Sequence, residues 1–177
     1  LMLGPLAHAQ GEDQAAIEFD IDTKPAEFCK AVDHALLNGY LDELNATAKI
    51  ALTLKHRLRG GESELEIFYR GLAQADCLYD NLCAVDENFD LRLRRLQEWQ
   101  EHEPGSIAPL VALMRFWDVA AWGARGCGFI KDVTPAQLQE FGERLGTEMG
   151  YARQIKPEDD PEATRLLLEL GLDVNLP

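Results

Sequence analysis

Between Ser106 and Gly128 the chain reads SIAPLVALMRFWDVAAWGARGCG, and a helix this apolar has to be covered on most of its circumference. Any fold for this chain must therefore wrap other elements around that stretch. Ser106 is placed to cap it, Pro109 falls in the first turn where a missing N–H costs nothing, and Gly126 and Gly128 stop it. Leu110, Met114, Trp117, Ala121 and Ala124 follow helical spacing, and Leu113, Phe116 and Ala120 widen the stripe. Arg115 and Asp118 interrupt the run near its middle, so the segment is not a membrane span.

The same helix carries a second stripe. Arg115, Asp118, Trp122 and Arg125 share one face by their spacing. Two guanidinium groups, a carboxylate and an indole on one face can hold an anionic or aromatic group, and this is the candidate binding surface. The competing reading pairs Asp118 with the arginines and packs Trp122 against a neighbouring helix.

Six further segments show helical period. Thr23-Lys24-Pro25 opens a first helix that Asn38-Gly39 ends; a second runs from Tyr40 to about Arg59, before Gly60-Gly61. Its basic end, Lys55, His56, Arg57 and Arg59, suits the negative pole of a helix. A third spans Glu64 to Ala75, and a fourth spans Leu91 to His102 with Leu93, Leu96 and Trp99 inward. Thr134-Pro135 with Gln137 is a capping-box start for a helix to about Ile155, and Asp160-Pro161 begins a last one that Gly171 ends. About seven helices in neighbouring pairs, with no exact repeat, predict an all-α irregular helical-hairpin stack over residues 23–177 as one domain.

Several of these residues also carry a family resemblance. Leu37-Asn38-Gly39-Tyr40-Leu41-Asp42-Glu43-Leu44, Phe68-Tyr69-x-Gly71-Leu72, Trp99, Glu103-Pro104-Gly105-Ser106 and Ala121-Trp122-Gly123-Ala124-Arg125-Gly126 resemble the bacterial family catalogued as domain of unknown function 4034. The resemblance covers roughly residues 30 to 165 and implies a tetratricopeptide-like fold, here a short α-solenoid. It implies no activity, since that family has no assigned chemistry. The four cysteines of this chain depart from the family pattern.

The first residues, LMLGPLAHAQ, read as the end of an apolar signal region with an A-x-A cleavage site, so residues 1–9 are expected to be a signal-peptide remnant and the protein periplasmic or secreted. Residues 10–22 follow as an acidic arm, with Ile17-Glu18-Phe19-Asp20-Ile21-Asp22 alternating as an extended segment laid on the helices would. In an oxidising compartment Cys29, Cys77, Cys83 and Cys127 allow three disulfide connectivities. Closing the short loop between Cys77 and Cys83 is the local choice, with Cys29 and Cys127 left as small buried residues.

The net charge is −14, from 31 acidic and 17 basic residues, which disfavours nucleic-acid phosphate and suits either a well-solvated surface or a basic protein partner. No phosphate loop, nucleophile elbow or paired metal-ligand spacing appears, and Ser63 and Ser106 are the only serines. His34, His56 and His102 lie far apart in the sequence. No catalytic residue, metal or cofactor is expected. The expected function is a protein-binding or scaffold module. An acidic inhibitor or immunity-type protein and a small carboxylate-dependent hydrolase are the alternatives.

Overall fold

The computed structural model describes residues 16–17, 24–58, 60–73, 77, 86–156 and 160–173. Seven α-helices account for most of them: α1 (Pro25–Asn38), α2 (Leu41–Leu54), α3 (Glu64–Ala73), α4 (Phe89–His102), α5 (Ala108–Arg125), α6 (Pro135–Ala152) and α7 (Pro161–Asp173), with one 3-10 turn at Ile130–Asp132. Among the described residues the only β-type pairing is an isolated bridge between Arg57 and Ser63. The fold is an all-α helical stack.

The odd-numbered helices form a row. α1 packs on α3, α3 on α5, and α5 on α7. α2 leans on α1 and α3, α4 spans α1 and α5, and α6 lies along α5. The apolar stretch read first in the sequence is thus covered by α3, α4, α6 and α7. Val111, Ala112, Leu113 and Met114 have no solvent exposure, and they belong to one core with Phe28, Leu36, Phe68, Leu72, Leu96 and Trp99.

Local chemistry explains most boundaries. Gly39 takes φ 76°, its N–H donates to Leu36 O at 3.0 Å, and the Tyr40 N–H donates to Ala35 O at 2.9 Å. This paired closure satisfies the last carbonyls of α1 and needs a residue tolerant of positive φ. Thr134 and Gln137 form the expected capping box, and Asp160 caps α7 through Oδ1, which accepts from Glu162 N–H at 2.7 Å.

Several boundaries differ from the sequence reading. α4 already starts at Phe89, and α6 ends at Ala152. α2 stops at Leu54, where Lys55 turns left-handed at φ 50°. The chain then folds back, Leu58 N–H donating to Glu62 O at 2.8 Å and Glu64 N–H to His56 O at 3.1 Å. His56 and Arg57 therefore do not sit on the last turn of α2, and compensation of its dipole does not explain them. Ser106 is not the cap of α5: Ile107 precedes the first helical residue, and Ser106 N–H closes a turn onto Glu103 O at 2.9 Å. α7 passes through Gly171 to Asp173.

Of the expected arm, Ile17 is described. Its N–H donates to Thr47 Oγ1 of α2 at 3.0 Å and its side chain packs on the core. The signal-like residues 1–9, the rest of the arm and the predicted cap Thr23 lie outside the described residues.

Candidate functional site

Burial divides the four residues of the candidate surface. Arg115 is 7% exposed and Asp118 4%, and Arg115 Nη1 donates to Asp118 Oδ2 at 3.1 Å. Trp122 and Arg125 are half-buried. The Trp122 ring meets Phe141 of α6 edge-on, with centroids 5.4 Å apart, and the Arg125 guanidinium stands 5.1 Å over the indole. Helical spacing placed the four on one face. The stack covers the first two, so a ligand arriving at the surface meets Trp122 and Arg125 alone.

Beyond Arg125 the connection to α6 is fastened at several points. Gly126 leaves the helix at φ 77°, Cys127 is disulfide-bonded, and Asp132 N–H donates to Phe129 O at 2.8 Å. Gln137 Nε2 donates back to Arg125 O at 3.4 Å, tying the start of α6 to the end of α5. On this held segment the apolar side chains face water: Phe129 is 78% exposed, Ile130 58% and Leu138 42%. Lys131 Nζ lies 5.9 Å from the Phe129 ring. Periodicity could not find Phe129 and Ile130, because they follow none, and it misplaced Leu138, whose helical spacing with Phe141 and Leu145 reads as inward although the first turn of α6 leaves it exposed. The available signal was two large apolar residues next to each other in a connection flanked by glycine.

The cysteine pairing differs from the local loop expected. Cys77 is joined to Cys29 of α1, with Cα atoms 5.7 Å apart, and so cannot close a loop with Cys83. Cys83 itself lies outside the described residues. Cys29 is neither reduced nor merely a filler of the core: its bond spans 48 residues of sequence. Cys127, also expected to remain a small buried thiol, is exposed and disulfide-bonded.

The carboxyl groups with shifted acidity are committed to holding helices together. Burial raises the Asp33 carboxyl above its ordinary value while Arg92 draws it back, Arg92 Nη1 lying 2.8 Å from Asp33 Oδ1. Arg92 is fully buried on α4 and also donates from Nε to Asp86 Oδ2 at 2.6 Å and from Nη1 to Leu72 O at 3.2 Å. It thus closes the C-terminal end of α3 against α1. Burial likewise raises Asp160, against the opposing effect of hydrogen bonds from Tyr69 and two backbone N–H groups. Tyr69 Oη donates to Asp160 Oδ2 at 2.6 Å, and burial pushes the phenol well above its usual range.

A cavity of about 330 Å³ opens where α2 ends, lined in part by Lys55, His56, Arg57, Glu66, Glu162 and Arg165. His56 Nδ1 is 3.5 Å from Glu64 Oε2, and Arg165 pairs with Glu162. The cationic run read as a helix end is therefore the rim of a cavity with both signs of charge. His34 lies beside Tyr40, ring centroids 6.1 Å apart, and His102 approaches Asp42 and Glu103. No family model matches the chain, and neither a curated protein nor a solved structure is detectably similar to it.

Proposed function

We propose that this chain is an exported helical-stack module that binds a protein partner through the tip joining α5 and α6. The observation that carries this is the exposure of Phe129 and Ile130, 78% and 58%, on a connection fastened at Cys127 and Gln137. Adjacent large apolar side chains held out into water gain free energy when a partner covers them. A fastened backbone loses little entropy on docking. Trp122 and Arg125 lie at the same end of the α5–α6 pair and supply residue types common at the centre of interfaces. The net charge of −14 favours a basic partner with an apolar socket. Export is supported by the A-x-A segment before Gln10 and by the Cys29–Cys77 bond, which persists in oxidising compartments. No described helix is long and apolar enough to cross a membrane. The resemblance to the family of unknown function adds no chemistry to this reading.

The test is crosslinking capture from intact cells, comparing wild type with a Phe129→Ser, Ile130→Ser variant and with Leu168→Ser, an exposed apolar position elsewhere at 68% exposure. A partner kept by Leu168→Ser and lost by the double variant, with unchanged circular dichroism, is the expected result. The same partner held equally by all three would move the surface away from the tip.

A second reading is favoured by the cavity. Lys55 is the one described non-glycine residue with positive φ, and such residues collect at functional sites. Arg57 and Arg165 also line the cavity, and a small anion is the ligand class that these cations would take. Saturable binding of a small carboxylate, weakened by Lys55→Ala, would favour it over the protein-binding reading.

A further inference from the structure

The end of α4 meets the first turn of α2, and three side chains converge there from two parts of the sequence. Asp42 is in the first turn of α2, His102 is the last residue of α4, and Glu103 follows it. His102 Nδ1 is 3.8 Å from Asp42 Oδ1 and 3.6 Å from Glu103 Oε1. One ligand atom from each of the three lies within 4.8 Å of the other two.

These separations exceed the ~2.7–3.2 Å of an N–H···O hydrogen bond. They are near the spacing of two ligands on one small ion. Bonds of about 2.0–2.2 Å set neighbouring ligands of a tetrahedral ion roughly 3.3 Å apart. We propose that Asp42, His102 and Glu103 bind a divalent transition-metal ion of the zinc class, which clasps α2 to α4.

The donor set selects the ion. One imidazole nitrogen and two carboxylates suit zinc and its neighbours, whereas calcium and magnesium take all-oxygen shells. The thiols that would otherwise compete at Cys29, Cys77 and Cys127 are in disulfides. The backbone under the site is fixed. Glu103 N–H donates to Trp99 O at 2.9 Å, Ser106 N–H returns to Glu103 O at 2.9 Å, and Trp99 is fully buried. The carbonyl end of α4 adds the negative pole of its dipole to the two carboxylates. All three side chains keep contact with solvent, so three protein ligands leave a fourth position to water.

The ion would also supply something the packing lacks. α2 rests mainly on α1 and α3, and α4 on α1 and α5, so the two are chiefly linked through α1. A metal bound by the folded chain alone stabilises it by mass action.

The experiment uses the full chain, stripped with a chelator and dialysed, then titrated calorimetrically with zinc chloride, with cobalt(II) absorption as a spectroscopic readout. His102→Ala, Asp42→Asn and Glu103→Gln are compared after a check of circular dichroism. The expected result is one equivalent of zinc in the wild type, an upward shift in Tm, and no displacement by magnesium or calcium. Each variant should weaken binding by more than the ~10–100-fold that outer-shell changes cost. Absence of zinc binding by the wild type, or wild-type affinity retained by any one variant, overturns the proposal.

Discussion

The seam between α1 and α3 and the seam between α5 and α6 are built on opposite terms. At α1–α3 the backbones nearly touch. A Cβ on Gly71 would stand 2.5 Å from Cys29 O, the Cys29–Cys77 bond ties α1 to the segment just after α3, and the buried Arg92 closes the end of α3. At α5–α6 the helices meet through Trp122, Phe141 and Leu145, with Arg144 donating to Ala120 O. The glycines of α6 (Gly142, Gly146 and Gly150) have open space where a side chain would stand. The first seam depends on particular atoms and the second on apolar surface. Substitutions should therefore separate them.

The largest effect is expected at Arg92. Replacing it with methionine keeps volume and leaves Asp33, Asp86 and the last carbonyls of α3 without their cation. Removing one member of a buried ion pair typically costs about 3–5 kcal/mol, and this change should fall in that range by urea unfolding. Asp33 keeps 25% side-chain exposure, which favours the lower end. A loss within the ~0.5 kcal/mol of an ordinary surface substitution would erase the contrast between the seams.

The bond from Tyr69 to Asp160 runs from α3, in the first seam, to the cap of α7, which packs on both helices of the second. Tyr69→Phe removes a hydrogen bond to a carboxyl group and should cost about 1.5–3 kcal/mol. Its pH dependence has a definite sign. Asp160 has a higher pKa folded than unfolded, so the folded chain holds its proton to higher pH. That contribution is fully present below about pH 4 and is lost as pH rises through the folded value. Asp33 acts in the same direction. Asp160→Asn keeps an oxygen for the N–H groups of α7 and offers its amide to the Tyr69 oxygen. Unfolding curves taken from pH 4 to 7 should lose part of their downward slope in this variant. An unchanged slope would show that Asp160 titrates alike in both states.

These two sites also show where sequence reasoning stops. Several helix starts and stops were legible from local signals, at Asp160-Pro161, Thr134-Pro135 with Gln137, and Gly39, whereas the equally local signals at Ser106 and Gly171 misled, because neither residue ends up where its helix begins or ends. The buried stripe of α5 was legible because its period is its own. Arg92 was not, since it stands in a run of charged residues, DLRLRR, and its partners come from α1, α3 and the segment before α4. The Cys29–Cys77 bond was hidden for the same reason, its ends meeting only once α1 and α3 are packed. At the candidate site, spacing gave the shared face of Arg115, Asp118, Trp122 and Arg125, while exposure depended on where α3, α4 and α6 lie. The end of α2 at Lys55 rests on a fold-back whose hydrogen bonds reach forward to Glu62 and Glu64, beyond any helical window.

The smallest effects come from the glycines, and they test the contrast most directly because one substitution is expected to have opposite signs. Gly71→Ala pushes a methyl group into the Cys29 carbonyl and the Val32 side chain. Overpacking of this kind costs about 1–3 kcal/mol. Gly146→Ala meets nothing within 4 Å, lies inside a helix, and should stabilise by about 0.5–1 kcal/mol by limiting the unfolded chain. Thermal unfolding of the two single variants and the pair decides it. The changes should add in the pair, because the sites share no partner. A destabilising Gly146→Ala in the isolated chain would mean that something packs on the outer face of α6, and the second seam would then resemble the first.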